Sequence, residues 1–347
     1  MKILLDYNLT ELEEIIISLN EPKFRAKQLM DSMYNGKDFS DKININKSLI
    51  DKLNEAQAIM QPIKIHKAKE SKDGSIKFLY KLYDNNIIEG VLLNYSFGYT
   101  LCVSTQVGCK MNCAFCASGL NGFVRNLSAG EIIGQIITVN KYLGGNIKDR
   151  KIGNIVLMGS GEPLDNFDNV SKFLAQITDE KLFNFSVRNI TISTCGITPK
   201  IEKLADLGYP VTLSISLHAP NDTIRKQIMP IAKSYPISTI LEGAKYYNLI
   251  TNRRITIEYT LIDGVNNTPN HAKQLATLLK DLPCHVNLIK LNEVDGRNLK
   301  SPTLNSCKQF LSILTNAQIS ATLRRSLGED IEGACGQLRN KELKNNN

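Results

Sequence analysis

The sequence predicts an α/β fold, a partial (β/α) barrel preceded by an N-terminal helical accessory domain. Two observations lead to it. Seven short runs rich in β-branched residues, TLCVST, NIVLMG, NITIST, VTLSISL, ITIEYTLI, HVNLIKL and ISATLRR, begin at about residue 99 and alternate with helical patterns. Strands that alternate with helices read as parallel βα units, because parallel neighbours need a long crossover between them. Six or seven such units are too few for a closed eight-fold barrel, so an open barrel is expected, with a doubly wound sheet as the competing arrangement. The second observation is the change of rhythm upstream, where residues 1–70 are polar and show helical spacing instead.

In chain order, LTELEEIIISL, EPKFRAKQLMDSMY and NKSLIDKLNEA carry apolar residues at helical intervals, with basic edges at Lys23, Arg25 and Lys27. Residues 71–98 read as a β-hairpin linker, since SIKFLYKLYDNNIIEGVLLNY alternates on both sides of an Asp84-Asn85-Asn86 turn. The barrel is assigned to residues 99–340. Within it SAGEIIGQIITVNKYL opens on a capping box of Ser128 and Glu131, and TPNHAKQLATLLKDL opens on Thr268 with Pro269 in the first turn. The Lys/Asn-rich tail, residues 341–347, is expected to be disordered.

The chain has 347 residues, 42% apolar and 22% charged, which suffices for one large domain and an appendage. It has no apolar run long enough to span a bilayer, and acids interrupt the N-terminal segment where a signal peptide needs an apolar block. A cytoplasmic protein with no membrane association is expected. The net charge of +8 is compatible with a polyanionic partner without requiring one. Basic pairs such as Arg225-Lys226, Arg253-Arg254 and Arg324-Arg325 read individually as solvated faces.

Eight cysteines, at 102, 109, 113, 116, 195, 284, 307 and 335, point to metal or catalysis in a chain read as cytoplasmic. GCKMNCAFC places Cys109, Cys113 and Cys116 within eight residues. Three thiolates can hold three irons of a [4Fe–4S] cube and leave the fourth open to a chelating ligand such as S-adenosylmethionine. Structural zinc would need a fourth ligand brought in by the fold, and a conventional electron-transfer cluster would need a fourth cysteine, for which Cys102 is the candidate. Elsewhere Gly159–Pro163 follows an apolar strand, so it reads either as a tight βα turn or as a ligand-approaching loop in which Glu162 takes an ammonium.

CxxxCxxC with Phe115 before the last cysteine resembles the radical S-adenosylmethionine superfamily, and with it the barrel of that type. TLCVSTQVGCKMNCAFCASG, MGSGEPL, ISTCGI, SISLHAPND and DIEGACGQL, in that order, resemble the RlmN/Cfr family of radical RNA adenine methyltransferases over roughly residues 20 to 340. The resemblance implies that Gly161, Glu162, Ser193, Ser216, Leu217, His218 and Asn292 line the S-adenosylmethionine site. It implies that Cys335 is methylated by one S-adenosylmethionine, that a second supplies the radical, and that Cys102 resolves the RNA adduct, with disulfide formation to Cys335. It also places a proton-accepting glutamate at Glu89, whose plain reading is a strand-edge surface acid, with Cys102 as the alternative acceptor of the ring proton. Cys195, Cys284 and Cys307 match no such role and read as packing residues. The implied substrate is an adenine of 23S rRNA, with tRNA as a second substrate. The implied partners are an electron donor such as flavodoxin and an RNA gripped by the N-terminal helices, with the enzyme a monomer. Pro163 in GEPL favours the C2-methylating RlmN branch over the C8-methylating Cfr branch, which carries alanine there.

Overall fold

A computed structural model of the chain describes residues 2–325 and 328–331. Cys335 and the tail at 341–347 lie outside the described residues. The N-terminal part pairs β1 (Lys2–Ile3) with β2 (Ala58–Ile59) around α1 (Leu9–Ser18), α2 (Arg25–Tyr34) and α3 (Lys47–Glu55). Asn8 and Glu11 cap α1 reciprocally, and the Asn46 side chain caps α3. Leu4, Leu5, Leu12, Leu29 and Leu49 are fully buried in one continuous core with the rest of the molecule.

The helical reading of residues 1–70 ends too late. β3 (Ile63–Glu70) is a strand, followed by β4 (Ile76–Leu82), β5 (Ile87–Tyr95) and β6 (Gly98–Cys102) in an antiparallel meander. Helical spacing and strand alternation are hard to separate in the mostly exposed, lysine-rich β3, and pairing with β4 decides the matter. The turn sits at Asp84–Asn86 as read, with Asn85 at φ +65°. The hairpin is not a linker, however. Among the described residues β4 and β5 are interior strands of a ten-stranded sheet, β3 lying at its edge and β6 leading on to the strands that follow.

Beyond β6 come β7 (Gln106–Gly108) and β8 (Phe123–Asn126), a small antiparallel pair, and then α4 (Ala129–Tyr142). The chain continues as β9 (Ile152–Leu157), α5 (Phe167–Ile177), β10 (Ile190–Thr194), α6 (Thr198–Asp206), β11 (Thr212–Ser216), α7 (Asp222–Ile228) and α8 (Ile237–Thr251). It ends as β12 (Ile255–Leu261), α9 (Pro269–Leu279), β13 (Cys284–Lys290), α10 (Leu304–Asn316) and β14 (Ala321–Leu323). β6 and β9 to β14 are parallel and stand in chain order with no reversal. A doubly wound sheet reverses its strand order at a switch point, so the sheet is of the barrel kind.

Its two faces differ in chemistry. Leu101, Ile155, Ile192, Leu213, Ile257 and Leu288 point to the helices and join the main core. The alternate residues Cys102, Ser193, Ser214, Ser216, Glu258 and Asn287 occupy the opposite face, as the two-residue period of a strand requires.

Both predicted caps are present, Ser128 with Glu131 on α4 and Thr268 on α9. Glu131 does more than cap. It is fully buried and binds Arg125 through both oxygens (2.7 and 2.8 Å), while Arg125 Nε reaches Asp84 of the hairpin turn (2.7 Å). This pair joins β8, α4 and the hairpin. Glu131→Ala removes the reciprocal half of the capping box and two of the bonds to Arg125, which keeps Asp84, and is expected to lower stability by about 2 kcal/mol in urea unfolding. Ser128→Ala, which removes the cap alone, should cost about 1 kcal/mol.

Candidate functional site

β7 leads into the cysteine loop through Gly108, at φ +78°, where a Cβ would overlap the Gly122 carbonyl oxygen. Only glycine lets the chain turn there. Cys109 N–H donates to that same carbonyl (3.1 Å), Cys116 N–H donates to the Cys113 carbonyl (3.1 Å), and Ala114 N–H donates to Ile228 at the end of α7 (2.8 Å). Asn112, in the left-handed region at φ +47°, accepts from Arg297 Nη2 at 2.7 Å. The loop is therefore shaped by distant segments.

Burial pushes the Cys109 thiol up to about 12, with the neighbouring Cys116 adding to the shift. Cys113 is raised for the same reason, with Cys116 and Cys109 both contributing. The three thiols are thus close enough to affect one another. Among the described residues, no three His, Cys, Asp or Glu side chains gather as a single metal ion would require. Three cysteines on one loop could each hold one iron of a polynuclear cluster. Because such ligands bind as thiolates, loading must overcome these raised thiols.

The predicted cofactor contacts stand at or beyond the C-terminal ends of neighbouring strands. Gly161 follows β9 at φ +110° and lies against Gln106, where a Cβ would come within 2.6 Å of the Gln106 side chain. Glu162 is 4% exposed; its Oε1 accepts Leu164 N–H (3.0 Å) and its Oε2 accepts Cys195 N–H (2.7 Å). Burial pushes its carboxyl up against the pull of these donors. Glu162 therefore staples the loop after β9 to the loop after β10, and a carboxylate's further lone pairs leave capacity for a ligand. Ser193 on β10 and Ser216 on β11 face each other, Oγ to Oγ, at 3.3 Å. Leu217 turns its side chain into the main core, so it offers backbone groups alone. Asn292 is exposed just beyond β13.

His218 adopts φ +56° and is buried. Its Nδ1 accepts Thr260 N–H (2.9 Å), which places the proton on Nε2, and its carbonyl accepts from Asn266 Nδ2 (2.8 Å). Burial, and the Arg225 charge nearby, hold it down at about 3, so it is neutral. Phe115 of the cysteine loop meets its ring edge-on at 4.6 Å.

Glu89 is not the surface acid of its plain reading. β5 is flanked on both sides by paired strands, Glu89 is 1% exposed, and Lys77 Nζ lies 3.5 Å from its carboxylate. Val91 pairs with Cys102 across β5 and β6, so Glu89 and Cys102 share a face as diagonal neighbours. Their relation to Cys335 falls outside the described residues.

Two residues of the site were not anticipated. Arg225, read as part of a solvated basic pair, is fully buried and donates to four carbonyls, those of Leu217 (3.2 Å), Tyr235 (3.2 Å), Cys195 (2.6 Å) and Ser216 (3.3 Å). Lys226 beside it is exposed. A helical offset of α7 separates the two, and no local pattern marks which one turns inward. Cys195, read as packing, is buried with Cys109, Met111 and Leu291 beneath the cysteine loop and binds Glu162 through its N–H. Cys307 is a core residue and Cys284 is half-buried.

Fold and site together define a radical S-adenosylmethionine enzyme. The Radical SAM superfamily pattern matches residues 103–276, and that of the ribosomal RNA large subunit methyltransferase N-terminal domain matches residues 3–59. The chain is 47% identical over 344 residues to the probable dual-specificity RNA methyltransferase RlmN of Clostridium tetani (strain Massachusetts / E88), covering 99% of this chain and 97% of that one. It is 50% identical over 344 residues to the protein so described from Alkaliphilus oremlandii (strain OhILAs), covering 99% and 98%. A crystal structure of a radical SAM methyltransferase from Sphaerobacter thermophilus superposes with a TM-score of 0.92 at 38% identity, over 97% of this chain and 99% of that one. The chain belongs to the RlmN family of radical S-adenosylmethionine methyltransferases. Its superfamily works with S-adenosylmethionine and a [4Fe–4S] cluster. Among the described residues, no helix is long and apolar enough to cross a membrane.

Arg225→Met should leave buried carbonyls without donors and cost on the order of 3 kcal/mol in chemical denaturation. Arg225→Lys should rescue little, since one ammonium cannot span four acceptors. His218 yields a pH signature. Its folded value lies near 3, below an unfolded value of about 6.5. The unfolded chain therefore takes up a proton that the folded chain refuses, and stability falls as pH drops below about 6.5. Between pH 7.5 and 5.5 His218→Gln should lose about 1.4 kcal/mol less than the parent, as measured by urea unfolding at both values.

Proposed function

We propose that this protein methylates C2 of an adenine in 23S rRNA, and of an adenine in tRNA, through a methylated Cys335. The observation that carries the reading is the thiol loop set beside the C-terminal ends of the parallel strands, with Glu162, Ser193, Ser216 and His218 around it. The near full-length likeness to the relatives described as dual-specificity RNA methyltransferases RlmN supports both substrates. Pro163, in the turn after Glu162, favours C2 over C8.

In this reading Cys109, Cys113 and Cys116 hold a [4Fe–4S] cluster, and Gly161, Glu162, Ser193, Ser216, Leu217, His218 and Asn292 receive S-adenosylmethionine, two molecules of it per turnover. When bound, these groups supply the electron, the methyl group and the 5′-deoxyadenosyl radical. Neutral His218, held by the Thr260 and Asn266 bonds, positions its backbone and the face of Phe115 without adding a competing cation. Adenine C2 is electron-poor and does not attack a methylsulfonium directly, which gives a carrier thiolate at Cys335 its purpose. Cys102 would resolve the RNA–protein adduct, its sulfur joining that of Cys335 as the carbon–sulfur bond breaks. Glu89 would accept the ring C2 proton, and the freed methylene would take up a proton to become the methyl group. The surplus electron would return to the cluster, and a thiol reductant would reopen the disulfide. Lys77 Nζ, 3.5 Å from the Glu89 carboxylate, holds that side chain in place. The target base must leave its stack to enter, so an unpaired or flipped adenine is the substrate, gripped in part by the basic N-terminal helices. We place the enzyme in the cytoplasm, as a monomer served by a one-electron donor such as flavodoxin.

The test is an oxygen-free reaction with labelled S-adenosylmethionine, an rRNA fragment and a tRNA. Expected products are 5′-deoxyadenosine, methylated Cys335 and 2-methyladenine, resolved by mass spectrometry. An 8-methyl product would assign the chain to the other chemistry. Cys113→Ser should lose iron, sulfide and all RNA methylation. Cys335→Ala should keep the iron and lose methylation by at least a thousandfold, and full turnover by this variant would refute the mechanism.

A further inference from the structure

Ile257 and Tyr259 of β12 enter the helix-side core, and Glu258 between them turns to the polar face of the sheet, where it is 4% exposed. It lies in one row with Ser216 on β11 and with Asn287 on β13, which pairs in turn with Thr322 on β14. Its Oε1 is fully engaged, accepting from Ser214 Oγ (2.9 Å) and Asn287 Nδ2 (3.0 Å). Thr322 donates to Asn287 Oδ1 (3.3 Å), which keeps the amide's NH2 turned toward Glu258. Oε2 is buried and, among the described residues, accepts no hydrogen bond. The nearest cation, Arg324 Nη1, stands 3.8 Å away on a side chain that is 38% exposed, too far for a hydrogen bond. One oxygen is thus clamped and the other presented.

A buried carboxylate oxygen without a donor is costly, and one on the polar face of the sheet has the capacity to receive a donor from a ligand. In the row, Glu258 is the register partner of Ser216, whose hydroxyl faces Ser193. Resting on the function proposed above, the ligands entering this face are two adenosines, one in S-adenosylmethionine and one in RNA. The base of each offers a single exocyclic donor, its 6-amino group. A 6-oxopurine offers an oxygen at the same place, which a carboxylate repels. We infer that Glu258 Oε2 accepts the 6-amino group of an adenine bound on this face, and so selects adenine over 6-oxopurines.

Glu258→Gln replaces the presented acceptor with an amide that can turn its NH2 outward and donate to a 6-oxo group. The experiment uses the cluster-loaded protein in two arms. In one, equilibrium dialysis measures binding of S-adenosylmethionine and of its inosine analogue without RNA. In the other, KM and kcat for methylation, and binding by fluorescence anisotropy, are measured on one RNA hairpin with adenosine or inosine at the target position. In one arm the variant should bind the adenine ligand about tenfold more weakly, with its adenine-to-hypoxanthine preference falling by at least as much. That arm identifies which adenosine is read. Ser214→Ala, which removes a donor from Oε1 alone, should leave both preferences within twofold.

Preferences unmoved in both arms by Glu258→Gln, at unchanged iron content, would overturn the inference, as would an equal shift in Ser214→Ala. If Glu258→Gln does not fold, Glu258→Asp, which withdraws the oxygen but keeps the charge, is read against the same criteria. Failure of the parent protein to methylate RNA would instead count against the function proposed above, and the dialysis arm would still judge Glu258.

Discussion

The site rests on one buried guanidinium. The thiol loop has little regular structure of its own, and its middle hangs from the Ile228 carbonyl at the end of α7. Arg225, one turn earlier on α7, binds carbonyls after β10, at the end of β11 and just beyond it, and before α8. A lysine could satisfy only part of this set, whereas the planar fork of arginine meets it with donors to spare. Fixing those strand ends in one arrangement also fixes Ser216 and His218, which immediately precede or follow the bonded carbonyls.

Around that anchor several polar groups pair across the sheet. Glu162 links the loops after β9 and β10, Asn266 closes the turn after β12 onto His218 and Thr260, and Gln106 reaches both Asn126 and Asp165. Each bond joins segments that the strand order makes neighbours, so topology and local chemistry agree. The same order separates an apolar face, covered by helices, from a face of serines, threonines and carboxylates. That second face carries the residues with which the proposed chemistry is concerned.

The N-terminal helices are continuous with this scaffold and do not hang from it. Asp6 accepts a hydrogen bond from Gly130 in the first turn of α4 (2.7 Å), and a Cβ at Gly130 would press on the backbone of Leu5 and Asp6. The hairpin between them and the parallel strands extends the sheet itself. The helices and the strands that carry Glu89 and Cys102 therefore share one core.

Much of this was legible from the residues alone. The seven parallel strands, the caps on α4 and α9, the Asn85 turn and the cysteine loop are written in patterns a few residues long, because alternation, capping and left-handed turns depend on near neighbours. The cysteine spacing pointed to the chemistry in the same local way. What the sequence could not settle was burial of charge. Arg225 resembles its exposed neighbour Lys226, Glu89 resembles an edge acid, and Glu258 is one acid within a β-branched run, until strands distant in the chain close over them. Whether a charged side chain is solvated, clamped or presented to a ligand is decided by which partners the fold brings within hydrogen-bond reach. Only the tertiary structure supplies those partners.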